Sequence, residues 1–176
     1  MGDRRDKLQY VPRSRADLVL SQLKIAGFFS SEISVLFHCQ SATSPRKIPP
    51  LVSDGSTTDA RDLATIRGTV GWLAGTVQFA FPDGGPLFAA GPILGALMAA
   101  SGVVGSGLAA GIMALGIPEL VAARYDVAIR AGNILVSTET TTPTEIDVAW
   151  EVLHYAQAQD ICLAQERGSK LNCASR

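Results

Sequence analysis

Four groups of residues carry chemistry-capable types. Gly105-Ser106-Gly107 with Ala110 imitates a dinucleotide-binding turn, and Asp126 follows at roughly the distance where an acid would take ribose hydroxyls. Such a turn needs a strand running into the glycines and a β-α-β frame around them. Here an uncharged helical pattern precedes it and a proline-started helix carries Asp126, so helix packing is the better reading of these glycines. His38, Cys39, His154 and Cys162 are of metal-ligating type, but their spacing fits no zinc pattern. Asp147 and Glu151 lie one helical turn apart with no base or nucleophile beside them; they read as a solvated, mildly repelling pair. The chain has no Gly-x-Ser-x-Gly elbow and no Gly-Lys-Ser/Thr phosphate loop. These observations predict no catalytic residue, no cofactor and no metal, and a non-enzymatic protein.

The residues with the most pronounced spacing are small ones. From Gly68 to Pro118 only Asp83 is charged, and Pro86 to Leu115 contains no Asp, Glu, Lys, Arg or His. Small residues recur four apart: Gly71 and Gly75; Gly91, Gly95 and Ala99; Gly107 and Gly111; Gly102, Ser106 and Ala110. A glycine inside a helix costs up to about 1 kcal/mol relative to alanine, so such a run needs a compensating gain. Close approach of two helix backbones supplies one. The expected helix-packing residues are Gly71, Gly75, Gly91, Gly95, Gly102, Gly107 and Gly111, with Pro82-Asp83-Gly84-Gly85-Pro86 as the turn between two rods. About 30 helical residues would reach roughly 45 Å, more than a bilayer core requires.

Two readings of this glycine zipper follow. In one it is a transmembrane hairpin in a bacterial inner membrane, contacting lipid and packing on a second copy or on a subunit of a membrane complex. Arg61 and Arg67 then favour a cytoplasmic position for the rest of the chain. In the other, the hairpins bury one another in a soluble, cytoplasmic homo-oligomer.

The flanking segments read as a mixed domain. Residues 7–38 form its first half: a short strand from Lys7 to Val11, a helix capped by Ser14 and stopped by Gly27, and a half-buried strand from Glu32 to His38 with Ile33, Val35 and Phe37 on one face. Residues 39–58, rich in Ser, Thr and Pro, read as a linker, and 59–116 as the hairpin. Residues 117–166 form the second half. A helix starts at Pro118, with Leu120, Val121, Tyr125, Ala128 and Ile129 as its apolar stripe. A strand from Asn133 to Glu139 follows, then a helix with a Thr142/Glu145 capping box and Ile146, Ala149, Trp150, Leu153 and Ala156 inward, then a strand from Asp160 to Gln165. Residues 167–176 read as a frayed tail. The expected fold is α+β: a ferredoxin-like split β-α-β sheet with helices on one face, interrupted by an antiparallel helical hairpin.

Composition bounds the partners. A net charge of −1 supplies no phosphate-binding term, and the strand Asn133 to Glu139 lacks an aromatic on which bases could stack, so no nucleic acid is expected. Three widely spaced cysteines argue against a disulfide framework and for a reducing compartment. Met1 to Lys7 has no apolar core of a secretory signal.

The segment Ala16-Asp17-Leu18 through Gly27-Phe28 to Ile33-Ser34-Val35, the Gly-rich run, Leu115-Gly116-Ile117-Pro118-Glu119, Tyr125, and Gly132 before Ile134-Leu135-Val136-Ser137 together resemble bacterial stress-induced proteins. These are the YflT-like heat-induced domain and the cyanobacterial low-temperature-induced proteins. The resemblance covers about three quarters of the chain, with Gly-Ile-Pro-Glu as its most specific part. It implies a stress-associated, membrane-linked protein and brings no catalytic residue with it.

Overall fold

The computed structural model describes residues 5–38, 77–81, 85–101, 107–165 and 172–174. In chain order the elements are β1 (Arg5–Val11), α1 (Arg13–Ile25), β2 (Ile33–His38), β3 (Val77–Phe81), β4 (Gly85–Ala90), α2 (Ile93–Ser101), α3 (Leu108–Met113), α4 (Glu119–Arg130), β5 (Ile134–Thr140), α5 (Pro143–Tyr155), β6 (Gln159–Gln165) and β7 (Asn172–Ala174). The α+β class expected from the sequence is therefore observed. The strands form one sheet in the order β3-β4-β2-β5-β1-β6-β7, every neighbouring pair antiparallel. β1 lies between β5 and β6, and β5 between β2 and β1. Each of the helices α1 and α5 thus connects two strands that flank a third.

The sheet is covered on both faces, not on one as the pattern predicted. Ile33, Val35 and Phe37 of β2 and Ile134 and Val136 of β5 join Val19, Leu20 and Leu23 of α1 and Ala149 and Leu153 of α5 in one core. The alternate residues, Leu36 and Leu135, join Ile93 and Leu97 of α2, Leu108 and Ile112 of α3, and Val121, Ala122, Tyr125 and Ile129 of α4 in a second core. β2 is consequently buried on both sides from Ile33 to Phe37, where a half-buried strand was expected. The expectation failed because alternation separates the two faces of a strand but does not say which of them is wet. Each large side chain so buried contributes about 1.5–3 kcal/mol.

The central stretch departs furthest from expectation. Residues 59–76, which include Gly71 and Gly75, lie outside the described residues, as do the linker 39–58 and Gly102. The described part from 77 to 90 is not helical: β3 and β4 pair antiparallel, Phe81 opposite Gly85 and Val77 opposite Ala89. The turn signal at 82–86 lies where β3 gives way to β4, so the described residues on either side of it, 77–81 and 85–90, are strands. Val77, Phe79, Phe81 and Phe88 explain this, since β-branched and aromatic residues suit a pleated surface. Across β2 and β4, Phe37 and Phe88 lie in register and stack, with ring centroids 5.3 Å apart. Among the described residues of the stretch, helix appears after Ala90, in the 9-residue α2 and the 6-residue α3. Among the described residues no helix is long and apolar enough to cross a membrane.

The caps are mostly as the sequence implies. Thr142 and Glu145 form the full capping box of α5, with Pro143 in its first turn. Gly27 follows α1, and the Phe28 N–H reaches back to the Leu23 carbonyl at 3.1 Å. Ser14 is not a cap: α1 begins at Arg13 after Pro12, with no side-chain cap. β7 forms where a frayed tail was expected.

Candidate functional site

The described helix-packing glycines Gly91, Gly95 and Gly107 have unlike surroundings. Gly95, inside α2, and Gly107, the residue before α3, have no neighbour within 4 Å of where a Cβ would sit. Gly111 is buried within α3. Gly91 marks a close backbone approach. Its φ is +86°, and an added Cβ would lie 2.1 Å from the Ile33 carbonyl oxygen and 2.9 Å from the Ser34 Cα. The closeness is used: the Ser34 hydroxyl accepts the Ile93 N–H at 2.9 Å in a buried position, capping α2 from the neighbouring strand. The spacing Gly91-Gly95 therefore arises from a turn and a helix, not from a helical zipper.

The layer α2-α3-α4 is the other part of the candidate site. Gly116, with φ +83°, follows α3; Ile117 is buried; Pro118 occupies the N-cap position of α4 without a side-chain cap, and Glu119 opens the helix. Each residue of the Gly-Ile-Pro-Glu element thus has a structural task. On α4, Val121, Ala122, Tyr125, Ala128 and Ile129 face inward, and Tyr125 meets Tyr10 edge-on with centroids 6.0 Å apart. Leu120, expected in the inward stripe, is instead 78% exposed, and Val127 is 67% exposed. Arg130 donates Nε to the Asp126 carboxylate at 2.7 Å along the same helix. The outward apolar residues were missed because Leu120 and Val121 are sequential neighbours and only the fold decides which is inside.

A cleft of about 350 Å³ lies between the end of α1 and the start of α5, lined by residues including Phe28, Phe29, Glu32, Thr142, Glu145 and Val148. Both of its carboxylates serve the backbone. Glu32 accepts the Phe29 N–H at 2.9 Å. Glu145 accepts the Thr141 and Thr142 N–H groups at 2.7 and 3.1 Å, and the Thr141 hydroxyl at 3.2 Å. The Thr141 N–H bond foremost holds the Glu145 carboxyl below its ordinary value. A depressed folded pKa contributes stability above the unfolded value, lost as pH falls through the folded one. Glu145→Gln is expected to cost about 0.5–1 kcal/mol at neutral pH. Its thermal melting temperature should converge on that of the wild type as pH falls below the ordinary carboxyl range. A gap unchanged with pH would contradict the assignment.

The metal-type residues are dispersed. His154 belongs to α5 on one face of the sheet, whereas Cys162 joins the core on the other. Cys39 lies outside the described residues, and among those described no group of three His, Cys, Asp or Glu side chains could hold a metal ion. Asp147 and Glu151 are exposed on α5, as expected of a solvated face. Cys162 is disulfide-bonded, with Cys173 opposite it in the β6–β7 register, against the expectation of reduced thiols. Cross-strand opposition of this kind is invisible in cysteine spacing. Thiol titration of the denatured, unreduced chain should count one free thiol of the 3 cysteines; a count of three would exclude the bond.

Gln9 and Thr138 are buried polar residues that the sequence did not single out. Both atoms of the Gln9 amide and the Thr138 hydroxyl lack a protein partner. Gln9 pairs with Val136 and Lys7 with Thr138. Gln9 and Thr138 are therefore diagonal neighbours on the sheet.

Comparison with known proteins finds no match: no family model, no curated protein and no solved structure resembles this chain closely enough to identify it.

Proposed function

We propose that the chain is a non-enzymatic, self-assembling structural protein. The observation that favours this reading over a membrane one is the fate of the uncharged run, while the exposed Leu120 and Val127 leave apolar surface for a second copy. Leu87, Ala89, Ile93, Leu97, Leu108 and Ile112 bury themselves against Leu36, Leu135 and Tyr125 of the same domain. That burial accounts for the run's apolarity without lipid. Three polar side chains of the described residues serve the fold: Ser34 caps α2, Glu145 caps α5, and Asp126 holds Arg130. In this reading the four strands β2-β5-β1-β6 with α1 and α5 are a ferredoxin-like split β-α-β unit. Between β2 and β5, β3 and β4 widen the sheet, and α2, α3 and α4 cover its second face. The structural tasks of Gly116, Ile117, Pro118 and Glu119 fit a fold signature of the stress-induced family and carry no catalytic role.

Membrane insertion is the second reading; it draws on the charge-free run from Pro86 to Leu115. Fractionation and sedimentation decide between them. The assembly reading expects a homogeneous oligomer purified without detergent. A chain that stays in carbonate-washed membranes until detergent is added would overturn it, and so would a detergent-free monomer at every concentration.

A further inference from the structure

We infer that the disulfide of Cys162 is a redox latch: it ties β7 to the end of the sheet, and its reduction by a dithiol releases β7 and bares the outer edge of β6. Strand order identifies the second cysteine. The chain has 3 cysteines, Cys39, Cys162 and Cys173. Cys173 is the Cα partner of Cys162 across β6 and β7. Cys39 follows His38, the last residue of β2, and both β5 and β1 lie between β2 and β6. Cys162 stands in one row across the sheet with Leu8, Ser137 and Ser34. His38 is therefore three strands across the sheet from Cys162, ~14 Å, and four residues along it, ~13 Å. A disulfide needs Cα atoms within about 7 Å of each other. The bond thus joins Cys162 to Cys173.

Little else in the strand itself holds β7. Among the described strands it is the shortest, 3 residues where the others have 5 to 7, and it ends the sheet with β6 as its paired neighbour. Its sequence, Asn-Cys-Ala, brings no large apolar side chain, and asparagine is poorly suited to strands. Three paired residues do not by themselves offset the entropy of ordering the chain that bears them. β6 is anchored independently. It pairs with β1 on its inner side, and Ile161 and Cys162 are buried in the two cores on opposite faces of the sheet. Breaking the bond therefore frees β7 and leaves β6 in place. The exchange balances. A thiolate of the dithiol attacks one sulfur of the bond, the other cysteine leaves as a thiolate and takes up a proton, and the second thiol of the reductant then displaces the first cysteine as it closes its own disulfide. Two protein thiols and one oxidised dithiol result. Cys162 stays in its core as a small apolar group, and β6 presents the backbone N–H and C=O groups that β7 had taken up.

Hydrogen exchange of the full chain in native buffer, with and without dithiothreitol, tests this. Reduction is expected to speed exchange of the 172–174 amides, and of the β6 amides bonded to them, roughly 100-fold, the constraint that a short disulfide loop supplies. The amides of β2 and β5 should keep their protection. Cys173→Ser should show the reduced pattern without reductant, and Cys39→Ser should respond as the wild type does. Removing the reductant and adding oxidised glutathione should restore protection. A β7 that stays protected once the bond is reduced overturns the latch. Loss of protection in β2 and β5 together with β7 also overturns it, because the bond would then staple the whole fold. A bond that dithiothreitol reduces only in denaturant overturns the switch, and a Cys39–Cys162 bridge in peptide mapping overturns the pairing.

Discussion

Gly91→Ala is expected to destabilise the fold by roughly 3 kcal/mol or more, a large share of a small domain's stability. Two costs coincide at this residue. Its φ of +86° is strained for any residue with a Cβ, and that Cβ would sit 2.1 Å from the Ile33 carbonyl oxygen. The obstacle is backbone of a central strand and cannot rotate aside. Relief requires β4 to move from β2, which also draws the Ile93 N–H away from the Ser34 hydroxyl. Gly95→Ala, four residues on, is the matched control. Its Cβ would meet nothing within 4 Å. Removing a glycine from a helix interior there should gain about 0.5–1 kcal/mol. Chemical denaturation of both variants checks the pair. Equal effects would restore the idea of a uniform glycine face.

That contrast shows where the sequence was legible. The elements outside the central stretch follow from local signals. The Thr142-Pro143-Glu145 box, Gly27 after α1 and the alternation of Ile33, Val35 and Phe37 each act over a few residues, and the structure places the corresponding elements within a residue or two. The central stretch did not yield because two signals coincide in it. Gly91 and Gly95 share a spacing of four, yet one terminates a strand and the other lies in a helix. Val77, Phe79 and Phe81 carry a period of two, hidden within a charge-free segment whose length argued for a helix. Whether an apolar residue faces a core is likewise a tertiary matter. Leu120 and Trp150 fit their helical stripes as well as Tyr125 and Leu153 do, but are 78% and 38% exposed. Gln9 and Thr138 carried no local sign of burial. They became interior because β1 and β5 lie in the middle of the sheet, which depends on strand order.

Tyr125→Ala should cost about 3–5 kcal/mol, the range for losing a large buried aromatic ring. Tyr125 is fully buried, and its ring meets Tyr10 of β1 edge-on at 81°. Removing it leaves a void in the core that it shares with Leu36, Leu135 and Ile129, and a close-packed interior refills such a void only in part. Tyr125→Phe keeps the ring and should retain most of the stability. Ile112→Ala carries the same argument into the charge-free run. Ile112 is fully buried in the same core, so its truncation should cost about 2–5 kcal/mol in the single cooperative transition that Tyr125→Ala also shifts. If residues 86–115 instead packed in lipid or in a separate rod, the transition reporting on Tyr125 would not respond to Ile112. Coincident shifts place the run inside the domain's own interior; a shift with Tyr125 alone would return it to the membrane.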